Sequence, residues 1–227
     1  MWAKRLHGCF RLYRFLPIMT TISYAITVCN ELDEIKTLLP FLYGIKRKQD
    51  EIVILQDVSK NDPELNTYLE GFTANGSDVL LIKQKFKNHF GEWKNLLTDF
   101  CTKQFVFQID ADEVPHEELI ENLPFLLEKN SNVDVMLVPR VNTVEGLTQD
   151  HIAKWKWNVN EKGWVNWPDY QWRIYRNTID IRWINKVHER LKGFKQYATL
   201  PMEEGFALYH PKEIERQERQ NEYYDTL

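Results

Sequence analysis

The sequence has few cysteines and no long apolar segment. The three cysteines, Cys9, Cys29 and Cys101, are odd in number and widely spaced, so they predict neither a disulfide framework nor a zinc site. This cysteine usage is typical of proteins kept in a reducing cytosol, and we therefore expect a cytoplasmic location. No run of residues approaches the length of a transmembrane helix.

The nine glycines do not form the phosphate-binding loops of common nucleotide-binding folds. No glycine fingerprint follows the first predicted strand, and no lysine-containing Walker loop occurs, which argues against a dinucleotide cradle and a P-loop enzyme. The formal net charge of −4 gives no overall attraction to nucleic acid, so we expect no such partner. With 43% hydrophobic and 27% charged residues, the composition is that of an ordinary globular domain.

The first residues differ in composition from the rest of the chain. Residues 1–18 contain apolar side chains and no acid, together with the cations Lys4, Arg5, Arg11 and Arg14. Arginines interrupt what would be the apolar core of a signal peptide, so we predict no secretion. We interpret residues 1–19 as a basic extension, with Met19 as a plausible second start, and expect any membrane contact to come only from residues 1–18.

Short apolar runs alternate with segments of helical spacing through the first two thirds of the chain. The predicted strands are 22–28, 51–56, 78–82, 104–109 and 134–138, and the predicted helices lie near 35–42, 62–69, 90–100 and 117–128. Short links between them predict an α/β fold with a mainly parallel sheet flanked by helices. We expect residues 20–140 to form one half, residues 141–210 a smaller mixed half, and residues 211–227 a solvated charged helix.

Acidic and amide side chains follow three of the predicted strands. They are Asn30 and Glu31, Asp57, and the pair Asp110 and Asp112. Ligands of open α/β sheets bind beyond the carboxyl ends of the strands, so we expect these groups to share one edge. An Asp-x-Asp pair in the turn after a strand suits a hard divalent cation, Mg²⁺ or Mn²⁺. The alternative is a solvated acidic loop that favours the start of the following helix through its dipole.

Aromatic residues are concentrated in the second half. Six of the eight tryptophans lie within residues 155–183, namely Trp155, Trp157, Trp164, Trp167, Trp172 and Trp183. Flat apolar rings with a polar N–H suit a sugar, and we predict that Trp164 and Trp167 form an acceptor wall while most of the others fill the core. Arg173 and Arg176 are candidates for binding a diphosphate, and the alternative is that they are solvated or paired with acids.

Taken together, four segments resemble the family 2 glycosyltransferases of GT-A fold, over roughly residues 21–210. Residues 26–31 (ITVCNE) are similar to the opening strand and Asn-Glu signature of that family. Residues 54–62 (ILQDVSKND) resemble its second-strand segment, and residues 93–95 (WKN) stand where the family has Ala-Arg-Asn. The Asp-Ala-Asp segment, residues 110–112, matches the metal motif without change.

The chain also departs from the family pattern. Cys29 replaces a usual tyrosine, Gln56 the first aspartate of the second-strand segment, Val58 a glycine, and Lys94 an arginine. Asp57, which the resemblance places against the base of the nucleotide, is kept. These substitutions keep open the alternative of a nucleotide- or sugar-binding module with a lapsed site.

The resemblance implies a GT-A fold and a nucleotide-diphospho-sugar donor, with uridine diphosphate favoured by the resemblance alone. The donor is expected to contact Thr27, Cys29, Asn30, Glu31, Asp57, Lys94, Asp110, Arg173 and Arg176. His188, within a Val-His-Glu segment, resembles the late histidine that completes the metal site of some members. The residues themselves support it modestly, because a neutral imidazole binds Mn²⁺ and residues 181–187 are predicted to form a strand that delivers it. A partly buried histidine bonded to backbone is the alternative.

The mechanism that follows is direct displacement with inversion at the sugar carbon. Mn²⁺ or Mg²⁺ held by Asp112, with Asp110 and His188, neutralises the departing diphosphate. A carboxylate opposite the leaving group takes the proton of the acceptor hydroxyl; we predict Asp169, with Glu189 and Glu145 as alternatives. The acceptor is expected to be a carbohydrate, a lipid-linked molecule or a protein.

Two other enzyme classes fit parts of the sequence. Residues 110–114 (DADEV) match the Asp-x-Asp-x-(Thr/Val) motif of haloacid-dehalogenase-like phosphatases, but those enzymes carry it on their first strand, whereas three strand–helix units precede it here. A nucleotidyltransferase would share the fold and metal but requires a glycine-rich loop after the first strand, where this chain has residues 29–32 (CNEL).

Overall fold

The computed structural model describes residues 20–74 and 78–225. The predicted basic extension, residues 1–19, lies outside the described residues. In chain order the elements are β1 (Ile22–Val28), α1 (Leu32–Ile45), β2 (Glu51–Asp57), α2 (Pro63–Ala74), β3 (Val79–Gln84), α3 (Phe90–Asp99), β4 (Phe105–Asp110), β5 (Val114–Pro115), α4 (Glu117–Lys129), β6 (Val135–Val138), β7 (Arg140–Glu145), α5 (Gln149–Trp155), β8 (Gln171–Arg176), β9 (Arg182–Ile184), β10 (Arg190–Lys192), β11 (Tyr197–Thr199), β12 (Leu208–Glu213) and α6 (Ile214–Asp225).

The main sheet has seven strands in the order β11-β6-β8-β4-β1-β2-β3. Strands β4, β1, β2 and β3 are parallel to one another, as the alternation of strands and helices predicts. Strand β8 runs antiparallel to both β4 and β6. The predicted α/β class with a mainly parallel sheet is therefore confirmed, and the reversed β8 belongs to the half that we expected to be mixed.

Helices cover both faces of this sheet, which explains the nearly continuous apolar runs of the central strands. Helices α1, α2 and α4 contribute Leu38, Leu65 and Leu123 to the larger apolar cluster on one face. On the other face, Trp93 and Leu97 of α3 pack with Tyr175 of β8 and with the hairpin formed by β9 and β10.

A second sheet brings the end of the chain back to the carboxyl edge of the main sheet. Its order is β5-β12-β7, with β12 antiparallel to β5 and parallel to β7. Strand β12 ends at Glu213, and the charged C-terminal helix therefore spans Ile214–Asp225. Since β5 directly follows the acidic turn after β4, this pairing places β12 and the start of α6 beside that turn.

The predicted strand at 181–187 is shorter in the structure. Strand β9 ends at Ile184 because Asn185 adopts a left-handed backbone conformation, with φ of 74°, which breaks the extended chain. Among residues 20–74 and 78–225, no helix combines the length and apolar character needed to cross a membrane.

Candidate active site

The carboxyl ends of β1, β2 and β4 bring three of the predicted polar groups to one edge. Thr27 of β1 lies beside Asp110 of β4 and donates a hydrogen bond from Oγ1 to Asp110 Oδ1 at 3.0 Å. The Cys29 thiol lies 3.5 Å from Asp57 Oδ2. Glu31 accepts hydrogen bonds at Oε2 from the backbone N–H groups of Cys29 and Asn30, at 2.7 and 3.0 Å. Parallel pairing of short, buried strands produces this convergence.

Asp57 has a fixed orientation at the end of β2. Its carboxylate accepts hydrogen bonds from the backbone N–H groups of Ser59 (2.8 Å) and Phe86 (3.0 Å) and from the Ser59 hydroxyl (2.7 Å). Burial alone would raise the pKa of Asp57, but these hydrogen bonds lower it below its ordinary value. Asp57 is therefore an ionised hydrogen-bond acceptor of fixed orientation.

Asp110 belongs to a buried network with two arginines. Its Oδ2 accepts a hydrogen bond from Arg173 Nη2 at 2.7 Å, and its Oδ1 accepts one from Gln108 Nε2 at 2.8 Å. Glu113 is fully buried and accepts from Arg173 (2.9 and 2.6 Å) and from Arg140 Nη1 (3.0 Å). Burial raises the pKa of Asp110, but the charges of Lys94 and Arg173 outweigh it and hold the pKa well below its usual range.

Asp112 faces a histidine that comes from the far end of the chain. Asp112 Oδ2 lies 3.4 Å from His210 Nε2, on strand β12. The other ring nitrogen, Nδ1, lies 2.8 Å from Asn142 Oδ1. Asn142 donates from Nδ2 to the Asp169 carboxylate at 2.8 Å, which fixes its amide so that Oδ1 is the acceptor. The His210 proton must therefore sit on Nδ1.

This tautomer decides what the pair of side chains can bind. Burial lowers the pKa of His210, against the opposing effect of Asp112. With Nδ1 engaged by Asn142, Nε2 is the ring atom that faces the Asp112 carboxylate, so one nitrogen and one oxygen ligand atom lie at the same place. The Asp112 and His210 pair therefore fits a divalent ion with oxygen and nitrogen ligands.

The pair does not make a complete metal site by itself. Within residues 20–74 and 78–225, no three His, Cys, Asp or Glu side chains converge in a metal-binding arrangement. Asp110, which we predicted as a ligand, directs its two oxygens towards Thr27, Gln108 and Arg173. Further ligands would have to come from water or from the oxygens of a bound substrate.

Cations from the C-terminal segment surround Asp112. The Arg216 guanidinium of α6 lies 3.2 Å from Asp112 Oδ2, 3.4 Å from Glu31 Oε1 and 2.6 Å from Glu34 Oε1. Burial raises the pKa of Asp112, but the interaction with His210, with a smaller contribution from the charge of Lys212 on β12, outweighs it and holds the pKa of Asp112 well below its usual range. The acidic edge of the sheet thus meets two cations, Lys212 from β12 and Arg216 from α6.

Asp169, the predicted base, is held by three side chains. Its Oδ2 accepts from Arg140 (3.0 and 2.7 Å) and Asn142 (2.8 Å), and its Oδ1 accepts from Gln171 Nε2 at 2.8 Å. Burial raises the pKa of Asp169, but Arg140 and these donors bring the pKa below its ordinary value. Asn142 connects Asp169 to His210, so the predicted base and the Asp112 and His210 pair belong to one hydrogen-bonded arrangement.

The structure pairs Glu189, the alternative base, with Lys94. The Lys94 ammonium lies 2.9 Å from Glu189 Oε1, 3.8 Å from Asp110 Oδ1 and 4.9 Å from the centre of the Trp183 ring. His188, the predicted metal ligand, is exposed, has a left-handed backbone with φ of 53°, and follows the β9 strand end. The position against Asp112 is taken by His210 instead.

Arg176 does not reach this edge. It lies opposite Phe105, at the start of β4, whereas Asp110 ends that strand. Its guanidinium binds Asp134 Oδ1 at 3.4 Å and the Ser131 carbonyl at 2.8 Å. Three residues along an extended strand separate side chains by about 10 Å and turn them to opposite faces, which explains why Arg173 and Arg176 have different partners.

Trp164 and Trp167, the predicted acceptor wall, line an open cavity. Their rings pack edge to face with centres 4.9 Å apart. The cavity measures about 590 Å³, and Met202 and the ion pair of Lys162 with Glu204, at 2.9 Å, complete much of its wall. The Lys162 ammonium lies 4.3 Å from the centre of the Trp164 ring, so Trp167 is the more accessible of the two rings.

Sequence patterns missed five residues of this site, namely Glu113, Arg140, Asn142, His210 and Arg216. Glu113 was visible as the third carboxylate of the acidic turn, yet its full burial requires two arginines from distant strands. His210 and Arg216 gave no local signal, because they reach Asp112 only through the pairing of β12 with β5 and β7. The alternating charges of the C-terminal segment indicated a solvated helix instead.

Comparisons with known proteins identify a family and a fold for the chain. The family model described as glycosyl transferase family 2 matches residues 23–207. A comparison with curated protein sequences finds no match. Among solved structures, Staphylococcus aureus TarS 1-349 in complex with UDP-GlcNAc is 15% identical, with a TM-score of 0.60, over 86% of this chain and 59% of that chain. The same fragment in complex with UDP is 14% identical, with a TM-score of 0.59, over 85% and 60%.

These likenesses confirm the predicted GT-A fold. The chain spans about three fifths of the length of the TarS fragment that it matches.

Proposed function

The chain belongs to glycosyltransferase family 2, and on that premise we propose that it moves a sugar from a nucleotide diphosphate sugar to an acceptor hydroxyl, with inversion. The observation that carries this proposal is the meeting of Asp57, Asp110 and Asp112 at one sheet edge, with His210 turned towards Asp112. A uridine-linked donor is supported by the solved TarS structures, which hold UDP-GlcNAc and UDP.

The donor base is assigned to the edge formed by β1 and β2. Asp57 is ionised and oriented by backbone donors, so it suits an N–H group of a base, and Thr27, Cys29, Asn30 and Glu31 border the same place. Lys94 and Arg173 bring positive charge next to Asp110, where the ribose and diphosphate would follow.

Asp112 and His210 are assigned as the residues that would hold Mn²⁺ or Mg²⁺. A divalent ion there would neutralise charge on the leaving diphosphate, which is worth several kcal/mol in such reactions. Arg216 and Lys212 add positive charge at the same position. Asp110 accepts hydrogen bonds from Thr27 and Arg173 and so fixes the orientation of these two side chains. His188 remains a prediction as a metal ligand. We favour His210 over His188, because His210 faces Asp112.

Asp169 is assigned as the general base on the acceptor side. It takes the proton of the acceptor hydroxyl as that oxygen forms a bond to the anomeric carbon, while the bond from that carbon to the diphosphate oxygen breaks. Its ionised state and its connection through Asn142 to His210, which faces Asp112, support this role, whereas Glu189 is paired with Lys94 beside Asp110, where the donor is assigned. Trp164 and Trp167 are assigned as the wall against which the acceptor packs.

A panel of nucleotide sugars tests this proposal with the purified chain. We expect one donor to raise the melting temperature in the presence of Mn²⁺, and the same donor to be hydrolysed slowly without an acceptor. Asp112→Ala should abolish the metal-dependent turnover, while Asp150→Asn, a change on the exposed helix α5, should leave it unchanged.

The results separate transfer from mere binding. Stabilisation by a donor with no turnover at any metal concentration would support the lapsed binding module. Full turnover in the Asp112→Ala variant would remove the metal assignment and with it the proposed mechanism.

A further inference from the structure

The hairpin formed by β9 and β10 has one buried and one exposed face. Trp183 and Leu191, which are directly opposite each other, are buried in the apolar cluster beside α3. Side chains alternate along strands, so the remaining positions of the two strands share the outer face. We define the hairpin face as Arg182, Ile184, Arg190 and Lys192, in which Arg190 pairs with Ile184 and Lys192 with Arg182.

The hairpin face carries more positive charge than the surrounding residues neutralise. Lys192 lies directly opposite Arg182, and like charges in that position destabilise an antiparallel pair. Arg182 has one acidic partner, Asp99, at 3.2 Å. Among residues 20–74 and 78–225, no carboxylate lies within ion-pair distance of the side chains of Arg190 or Lys192.

The acid within the hairpin does not offset this charge. Glu189 directs its carboxylate inwards to Lys94, at 2.9 Å, where its side chain is 15% exposed. Asp180 is exposed and lies near Gly193, whose φ of +91° allows close approach of the two backbones. With Asp99 and Asp180 counted against Arg182, Arg190 and Lys192, the face keeps an excess of one positive charge on a chain of net charge −4.

Aliphatic side chains are exposed beside these cations. Ile184, on the face itself, is 39% exposed, and Ile179, in the loop that leads into β9, is 78% exposed. A soluble polyanion offers no apolar surface to such side chains. The boundary of a bilayer accepts both kinds of group, because cations bind anionic headgroups while short apolar side chains enter the acyl boundary.

We propose that the hairpin face docks the protein on an anionic lipid surface. The charge of the face selects anionic headgroups, and Ile179 and Ile184 add a short apolar contact. This inference does not depend on the transfer chemistry. It assigns the contact to a folded part of the chain, whereas the sequence predicted membrane contact only through residues 1–18.

The hairpin is firmly attached to the active-site half, so docking would fix the position of the cleft. The backbone N–H groups of Phe90 and Gly91, at the start of α3, donate to the carbonyls of Lys186 (3.0 Å) and Asn185 (3.2 Å). The Asn95 side chain bonds both backbone groups of Trp183, at 2.9 and 2.8 Å. A lipid surface under the hairpin face would therefore stand at a constant distance from Lys94 and Asp110.

Sedimentation of the full chain with lipid vesicles tests the proposal. We expect binding to phosphatidylcholine vesicles that contain about 30% phosphatidylserine, weaker binding at high salt, and little binding to phosphatidylcholine alone. Arg190→Glu combined with Lys192→Glu should lower the partition coefficient by about tenfold or more, and Ile184→Ser should lower it by a few-fold. Residues 1–18 are the same in every variant, so their contribution cancels.

The matched control reverses two exposed lysines on the other face of the main sheet. Lys36→Glu with Lys129→Glu, on α1 and α4, makes the same change in net charge and should retain binding. Equal losses in both double variants would show attraction by net charge only and would overturn the assignment. Unchanged binding in the hairpin variant would also overturn the assignment. Binding of soluble polyphosphate without binding of vesicles would do the same.

Melting temperatures show whether the variants fold. If the double glutamate variant melts below the wild type, Arg190→Gln with Lys192→Gln replaces it, for which we expect a smaller loss of binding in the same direction. No loss in a folded glutamine variant would equally contradict the proposal.

Discussion

The two ends of strand β8 carry arginines in different settings. At one end Arg173 is 4% exposed and binds Asp110 and the fully buried Glu113. At the other end Arg176 is partly exposed, binds Asp134 and a backbone carbonyl, and lies over the Phe105 ring at 4.7 Å. Both are ion pairs between an arginine and an aspartate, yet only the first lies at the edge where Asp57, Asp110 and Asp112 converge.

The difference follows from the direction of neighbouring strands. Because β8 is antiparallel to β4, the start of β8 meets the carboxyl end of β4 and the end of β8 meets its beginning. Residue type alone therefore does not separate a binding arginine from a structural one. The position of each arginine along the pair formed by β4 and β8 makes this distinction. Variants at the two ends of β8 should therefore behave differently.

The largest stability change is expected at the buried end. Arg173→Met leaves Glu113 and Asp110 without their main cation, and removing one partner of a buried pair typically costs about 3–5 kcal/mol. Urea unfolding at neutral pH measures the change. Glu121→Gln, at an exposed position of α4, is the control and should change the unfolding free energy by less than about 0.5 kcal/mol. A similarly small change for Arg173→Met would show that the network is dispensable.

Variants of Asp169 and Glu189 test which of the two carboxylates is the general base. Asp169→Asn should lower kcat by about 10²–10⁴-fold with little change in the KM for the donor, because it removes only the acceptance of the proton. Glu189→Gln should act mainly on donor binding, through Lys94. Steady-state kinetics with a donor and an acceptor that support turnover distinguish the two. A larger loss of kcat in the Glu189 variant would reverse the assignment.

His210 and His188 form a matched pair of variants for the metal. His210→Ala should raise the Mn²⁺ concentration needed for half-maximal turnover by about tenfold or more, since it removes a group that faces Asp112. His188→Ala, at an exposed position, should leave that concentration nearly unchanged. The opposite order would restore His188 as the ligand.

Much of the main sheet was predictable because each strand is a local pattern. Strand β1 begins and ends at the predicted residues, 22 and 28. Strand β2 differs from the prediction by one residue at its end, and strand β4 by one residue at each end. Asp57, Asp110 and Asp112 were predicted as a group for the same reason, since strand ends in a parallel sheet share an edge. Local pattern and fold agree in this half of the molecule.

The remainder depends on long-range pairing. Nothing near His210 or Arg216 in the sequence indicates Asp112, because β12 must first pair with β5. The arginines at 173 and 176 look equivalent until the direction of β8 is known. Sequence patterns therefore predicted the groups carried by the parallel strands and missed those that complete the site from the C-terminal segment.

The smallest effect is expected at the exposed end of β8. Asp134 accepts hydrogen bonds from the backbone N–H groups of Lys195 (2.8 Å) and Gln196 (3.2 Å), and from Arg176. Burial alone would raise the pKa of Asp134, but these donors lower it below its ordinary value. The stabilisation that they provide is thus present above the pKa of the unfolded chain, about 4, and is lost as the pH falls through the lower folded value.

Asp134→Asn should consequently flatten the acid limb of a plot of unfolding free energy against pH. Arg176→Met should cost less than about 1 kcal/mol at neutral pH, as exposed pairs do, and leave turnover unchanged. Urea unfolding between pH 3 and pH 7 measures both variants. A strong loss of donor turnover in Arg176→Met would mean that this end of β8 also serves the ligand, and the distinction between the two ends would then be wrong.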